Sequence, residues 1–244
     1  MEKLNEEQPG ELNKTNQYHL SIRFSSDGFD LLVLNEFKTV LSSKKVSVSL
    51  YSLSSSDIVK LLTQELLLNY QSVQLICESD QYTFIPASLF KEEAAADFLN
   101  VQFKPAKSDL IVINHIPKWD TVNVFSIPKT LYEALNQFFP NVEPEHHLSV
   151  FLKEKIKLQN GNSVYISVRT AIMDVVVIKE GGLQLINSYT FNSPEDFTYY
   201  TLNLFDKLPL DTENCNVILF NGSKKPELQK TLELYLEVKN GIND

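Results

Sequence analysis

A chain of 244 residues with 43% hydrophobic side chains can bury a substantial core and is long enough for two lobes. Its 22 Lys and Arg against 31 Asp and Glu leave a net charge of −9. The basic runs are no longer than pairs such as Lys44-Lys45 and Lys224-Lys225, which argues against nucleic acid as a partner. The cysteines, Cys77 and Cys215, are far apart and lack a CxxC context, so neither a disulfide framework nor a zinc site is indicated. The amino terminus is polar and acidic without an apolar core segment, and no apolar run reaches a membrane span. Residues 1–17 are expected as a loose arm of a soluble cytoplasmic protein with no membrane insertion.

In chain order, residues 18–24 alternate as a half-buried strand does, Ser25-Ser26-Asp27-Gly28 supplies a turn, and residues 30–35 form a second strand. A third strand is expected over 45–53, with Val46, Val48 and Leu50 on one face. Ser56 or Asp57 then caps a helix running to Asn69, carried by Ile58, Leu61, Leu62, Leu66 and Leu68. Residues 73–77 give a fourth strand. The middle is less regular: a strand at 82–86, a helix at 87–99, strands at 110–114 and 121–127, and a short amphipathic helix behind Pro128. A brief strand at 141–143 and a helix at 146–158 complete it.

The last third repeats the first. Strands are expected at 164–168, 174–179 and 185–191, with Arg169 to Met173 and Gly181-Gly182 as turns. Ser193-Pro194-Glu195-Asp196 reads as a helix start; that helix runs to about Leu208, followed by a strand at 216–220 and a closing helix at 226–238. Asp30 matches Asp174 and Val73 matches Val217, both 144 residues apart. One offset at both ends points to a duplicated unit of three strands, a helix and a strand.

Two such units resemble the core plan of the actin, Hsp70 and sugar-kinase superfamily. The likeness is greatest to its bacterial branch of cell-division and pilus-assembly proteins, and to an uncharacterised bacterial family of unknown function with an actin-like ATPase fold. The resemblance implies an α/β, two-lobed, ribonuclease H-like architecture with mixed sheets. The first lobe would span 18–158, with an insertion at about 82–140, and the second 159–244. In that superfamily the first hairpin of each half cradles phosphate, small residues letting backbone N–H groups approach while a strand Asp holds Mg²⁺. On this chain the resemblance sets that Asp on Ser167, the leading Gly on Arg169 and the Thr on Met173. In the first hairpin Ile22-Arg23-Phe24 has no carboxylate, and Asp27-Gly28 comes late. A Gly-Gly adenine turn aligns with Asn221-Gly222, one glycine short.

The resemblance therefore implies a candidate cleft of Asp27, Ser167, Arg169, Thr170, Asn221 and Gly222, with no catalytic or metal residue assigned. ATP and Mg²⁺ are not supported by the motifs, because phosphoryl transfer rests on positioning and charge neutralisation. Arg169 could face a phosphate, although a surface turn residue is the simpler reading. Asp174 is expected to start a strand outside the cleft. His146-His147 with Glu143 and Glu145 invites a metal reading, but adjacent histidines diverge on a helix and a solvated helix start is preferred. His115, Asp109, Trp119 and Asp120 could make a polar site, the alternative being a loop in which Trp119 packs. Phe197, Tyr200 and Leu204 should face a sheet, leaving Tyr199 to point elsewhere, and Phe138-Phe139 could mark a contact. The preferred function is a non-catalytic, actin-like binding or scaffolding module with a protein partner. The alternatives are a divergent nucleotide-binding switch or ATPase using the inter-lobe cleft, and a different α/β binding module.

Overall fold

The computed structural model describes residues 17–66, 70–157, 160–220 and 224–241. The expected arm, apart from Gln17, lies outside them, as do Leu68, Leu158, Asn221 and Gly222. The chain divides into two compact units, Met1–Val150 and Phe151–Asp244.

The first unit opens with β1 (His19–Ser25), β2 (Gly28–Leu34) and β3 (Val40–Ser47). β3 lies about five residues earlier than expected. The alternation of Val46, Val48 and Leu50 had suggested a later strand, yet the backbone beyond Ser47 folds over the β1–β2 turn. There the Val48 amide donates to the Asp27 carbonyl at 3.0 Å and the Leu50 amide to Ser26 at 3.3 Å. Gly28, with φ of +139°, makes this possible, since a Cβ there would lie 1.9 Å from the Val46 carbonyl oxygen. Helix α1 (Ser55–Glu65) starts earlier than expected, capped by Ser54. The Ser54 hydroxyl accepts from the Asp57 amide, and the Asp57 carboxylate accepts from the Ser54 amide, each at 3.3 Å, a reciprocal capping box.

β4 (Ser72–Cys77) then pairs in parallel with β1. β5 (Tyr82–Pro86), β6 (Asp109–Ile116) and β7 (Thr121–Pro128) make a separate antiparallel sheet ordered β5-β7-β6. Between β5 and β6 the expected single helix is broken into 3-10 turns at Ala87–Leu89 and Glu92–Ala94 before α2 (Ala95–Asn100). Ala95 and Leu99 pack there on Ile85, Val122 and Val124. α3 (Lys129–Phe138) buries Leu131, Ala134 and Leu135 and packs on α1, the i, i+3, i+4 stripe of an amphipathic helix. The next strand is β8 (Glu145–His146), not 141–143. It leads into α4 (His147–Val150) and a π-helical turn at Phe151–Lys155, where one α-helix was expected.

The second unit holds β9 (Asn162–Val168), β10 (Ile172–Lys179), β11 (Gly182–Thr190), α5 (Pro194–Lys207), β12 (Cys215–Phe220), α6 (Pro226–Leu232) and β13 (Val238–Asn240). α6 stops earlier than expected, and its last predicted residue instead starts β13. Ser193 caps α5, its hydroxyl accepting from the Asp196 amide at 3.1 Å, and Pro194 takes the first helical position. Val164, Ile166 and Val168 of β9 join Met173, Val175 and Val177 of β10 in one core with Phe197, Leu204, Leu228 and Leu232 from the helices.

The large sheets have matching orders, β3-β2-β1-β4-β8 and β11-β10-β9-β12-β13. Their registers match as well. Ile22 lies opposite Leu31 and Leu75, and Ile166 opposite Val175 and Leu219, so the same 144-residue step relates all three strands.

Candidate functional site

Both expected phosphate hairpins form, each around a two-residue turn. In the first unit Ser25 pairs with Gly28 across Ser26 and Asp27. The Asp27 carboxylate accepts from the Ser25 hydroxyl at 2.7 Å. That bond, reinforced by a backbone hydrogen bond, holds its carboxyl below the ordinary Asp range. Arg23 sits two register steps inside the turn, opposite Asp30, and ion-pairs with Glu78 at 3.2 Å. Beside the hairpin, Phe24, Ser25, Leu50 and Glu78 border a space of about 20 Å³, room for roughly one water molecule.

In the second unit the Arg169 amide donates to the Ile172 carbonyl at 2.8 Å, closing the turn over Thr170 and Ala171. Ser167 lies opposite Asp174 on β10 and opposite Phe220 on β12. Arg169 and Asp174 are therefore diagonal neighbours on one face of the hairpin. The guanidinium grips the carboxylate with both ends, Nε to Oδ2 at 2.7 Å and Nη2 to Oδ1 at 3.0 Å. The Ser188 hydroxyl adds a third donor to Oδ1 at 2.6 Å. The Asp174 side chain is only 2% exposed and that of Arg169 16%. Asp174 is thus neither the start of its strand, which begins at Ile172, nor on the surface.

The turn is also held from outside. Lys225 donates to the Thr170 carbonyl and lies over the Phe191 ring, 5.2 Å from its centroid. The Phe191 amide donates to the Ala171 carbonyl at 3.0 Å. Ser167, Arg169 and Thr170 thus share one hairpin, whereas Asp27 belongs to the first unit and Asn221 and Gly222 fall outside the described residues. Sequence reasoning missed Ser188 and Lys225, whose contacts depend on strand register and on where α6 begins.

The remaining constellations resolve differently. His115 is exposed, edge-on to Phe90 at 5.8 Å. Asp109, at the other end of β6, accepts from the Ala106 amide at 3.2 Å. Trp119 is buried and Asp120 takes a left-handed turn conformation with φ of 47°, so these residues form a packed loop. His146 and His147 are both buried, which overturns the solvated helix start. Among the described residues, no group of three His, Cys, Asp or Glu side chains is placed to hold a metal ion, and no helix is long and apolar enough to cross a membrane. Phe197 and Leu204 face the core, Tyr200 stacks on Tyr189 at 5.3 Å, and Tyr199 is 64% exposed. In the first unit a groove of about 570 Å³ runs past Ser79, Asp80, Asp109, Ser126 and Lys129. None of the described cleft candidates, Asp27, Ser167, Arg169 and Thr170, lines it.

A Bacteroides thetaiotaomicron protein, described as having an actin-like ATPase fold and unknown function, is 27% identical in its crystal structure. The match covers 94% of this chain and 93% of that one, with a TM-score of 0.77. More remote matches include the PilM–PilN type IV pilus biogenesis complex (13% identity, 91% and 88% covered, TM-score 0.49). Another is the ethanolamine utilization protein EutJ from Carboxydothermus hydrogenoformans (11% identity, 92% and 85% covered, TM-score 0.47). No curated protein matches the sequence. The family described as "Protein of unknown function (DUF3822)" matches residues 7–238, and the chain, with its actin-like ATPase fold, belongs to that family.

Proposed function

We propose that this protein is a cytoplasmic pseudo-ATPase: an actin-like fold that does not hydrolyse nucleotide and works as a binding or scaffolding module for another protein. The observation that carries this reading is the Arg169–Asp174 pair. In the hairpin where the resemblance places a phosphate loop, the guanidinium is spent on a carboxylate of its own hairpin, and Lys225 fastens the turn. The positions where a magnesium carboxylate would stand hold Ser167 and, 144 residues earlier, Arg23. A hydroxyl and a cation cannot hold Mg²⁺ as a carboxylate does, and without that charge the main source of phosphoryl-transfer acceleration is missing. The shared strand order and constant offset support reading the two sheets as copies of one unit. Both copies then carry the same loss.

Calorimetric titration with Mg-ATP, paired with thermal unfolding in its presence, tests the proposal. A ligand at a hundred times its dissociation constant would stabilise the fold by about 2.7 kcal/mol. We expect no binding heat and no shift in Tm. Saturable binding that Arg169→Ala abolishes, or steady release of phosphate, would overturn the pseudo-ATPase reading in favour of a nucleotide switch.

A further inference from the structure

In the second unit, β11 and α5 bring three tyrosines into contact. Tyr189, near the end of β11, and Tyr200, on the second turn of α5, stack with 5.3 Å between ring centroids and 18° between planes. Tyr199 meets Tyr200 edge-on, at 5.6 Å and 61°. The rings of Tyr189 and Tyr200 pack against the core of the unit, whereas Tyr199 stands in solvent, 64% exposed. Among the described residues none of the three hydroxyls bonds to another group, so each phenol is left to water. A lone exposed tyrosine is ordinary. Three in contact, two of them already fixed by packing, present apolar bodies and hydrogen-bond donors at little ordering cost, which is the chemistry of an interface anchor.

The geometry narrows the occupant. A helix would arrive with its carbonyls already bonded within itself, and a strand pairs through a sheet edge rather than with side chains. A polyproline II segment has no internal hydrogen bonds and leaves its carbonyls open. Its pyrrolidine rings fit the corner between the Tyr199 and Tyr200 rings, and its carbonyls accept from phenols. Charge narrows it further. Glu195 and Asp206 are exposed and lie four residues before and seven after Tyr199, on the same face of α5. Lys207 falls farther round the helix, on the side of Tyr200. The rim beside Tyr199 is therefore acidic and favours basic flanks on the incoming segment.

We propose that Tyr189, Tyr199 and Tyr200 form a docking ladder for a proline-rich, arginine-flanked segment of a partner protein. This rests on the scaffold reading above and gives the partner a chemistry. Tyr199 supplies the exposed anchor, Tyr200 the shared wall and a donor, and Tyr189 the backing that holds the Tyr200 ring in place.

Proton–nitrogen correlation spectra of the full chain, titrated with an oligoproline peptide carrying an arginine at each end, locate the contact directly. Saturable shifts should gather on α5 and the end of β11. Tyr199→Ala, at an exposed position, should weaken binding about thirtyfold, as the loss of a hot-spot side chain does. Tyr200→Phe keeps the ring and removes one donor, and should weaken binding about threefold to tenfold. A Gly-Ser peptide with the same arginines should bind far more weakly. No shifts with the oligoproline peptide up to about 1 mM, shifts gathered on other elements, equal affinity in Tyr199→Ala, or equal binding of the Gly-Ser peptide would overturn the ladder. So would dimerisation in sedimentation that Tyr199→Ala abolishes, since the surface would then belong to a second copy of the chain. The tyrosine variants leave the Arg169 hairpin intact, so the two readings fail separately. Turnover of Mg-ATP would sink the scaffold reading without moving the peptide shifts, and silent tyrosines would sink the ladder alone.

Discussion

Arg169 is the residue at which sequence and structure give different meanings to one side chain. In a turn of uncertain register it reads as a surface cation or a phosphate contact. Once Ser167 is set opposite Asp174, residues 169 and 174 become diagonal neighbours and the cation is committed to its own hairpin. The pair was hidden because cross-strand proximity depends on turn length: the turn was expected over Arg169 to Met173, whereas the one that forms holds only Thr170 and Ala171. Breaking a buried ion pair from one side leaves a charge in a poorly solvated place, at a cost of about 3 kcal/mol or more, whereas replacing both partners with apolar groups is often near neutral. Arg169→Ala should therefore lower the urea midpoint strongly, and Arg169→Met combined with Asp174→Leu should restore most of it. A single variant as stable as the wild type would mean that the pair does not hold the hairpin. His146 was misread for a related reason. Glu-His-His near Pro144 looks polar enough for solvent, and nothing local shows that a three-stranded sheet covers it.

Among the elements, those with strong periodicity and caps were legible: β1, β5, β7, β9, β12, α3 and α5 all stand within a few residues of their expected places. The failures share a cause. β3 is exposed along most of its length, so no apolar alternation marks it, and the eye moves on to Val46, Val48 and Leu50. The segment after β5 has helix-forming residues but is pulled into 3-10 turns before Ala95 and Leu99 dock. The turn between β10 and β11 was expected at Gly181-Gly182, yet Lys179 pairs with Gly182, leaving Glu180 and Gly181 in the loop. Both have positive φ, 54° and 80°, the pattern of a type I′ turn, which favours Asn-Gly. A Glu in left-handed geometry is strained by roughly 1 kcal/mol, so Glu180→Asn should stabilise the protein by about 0.5–1 kcal/mol. Thermal unfolding would show it as a rise of about 2 °C. A fall in Tm would mean that the Glu side chain contributes more than its backbone strain costs.

At the scale of the whole molecule, the two large sheets share strand order and a 144-residue step, but they are not covered alike. β10 is buried at six of its eight positions and β2 at three of seven. The outer strands differ too: β11 is mostly half-buried where β3 is mostly exposed. The matching topology was readable from Asp30 and Asp174, Val73 and Val217. The unequal covering was not, because it depends on packing partners that alternation cannot name. Local opening follows covering more than topology, so equivalent hydrogen bonds should differ in lifetime. The Val48 amide bonds inward to Asp27 and the Phe191 amide inward to Ala171. By the alternation of an antiparallel ladder, Ser42, Lys44 and Val46 of β3 then donate to β2, and Leu185, Asn187 and Tyr189 of β11 to β10. Native-state hydrogen exchange should find the β11 set protected about tenfold or more beyond the β3 set, with β9 and β10 slowest of all. Equal protection in the two outer strands would show that strand order, rather than covering, sets where this fold opens.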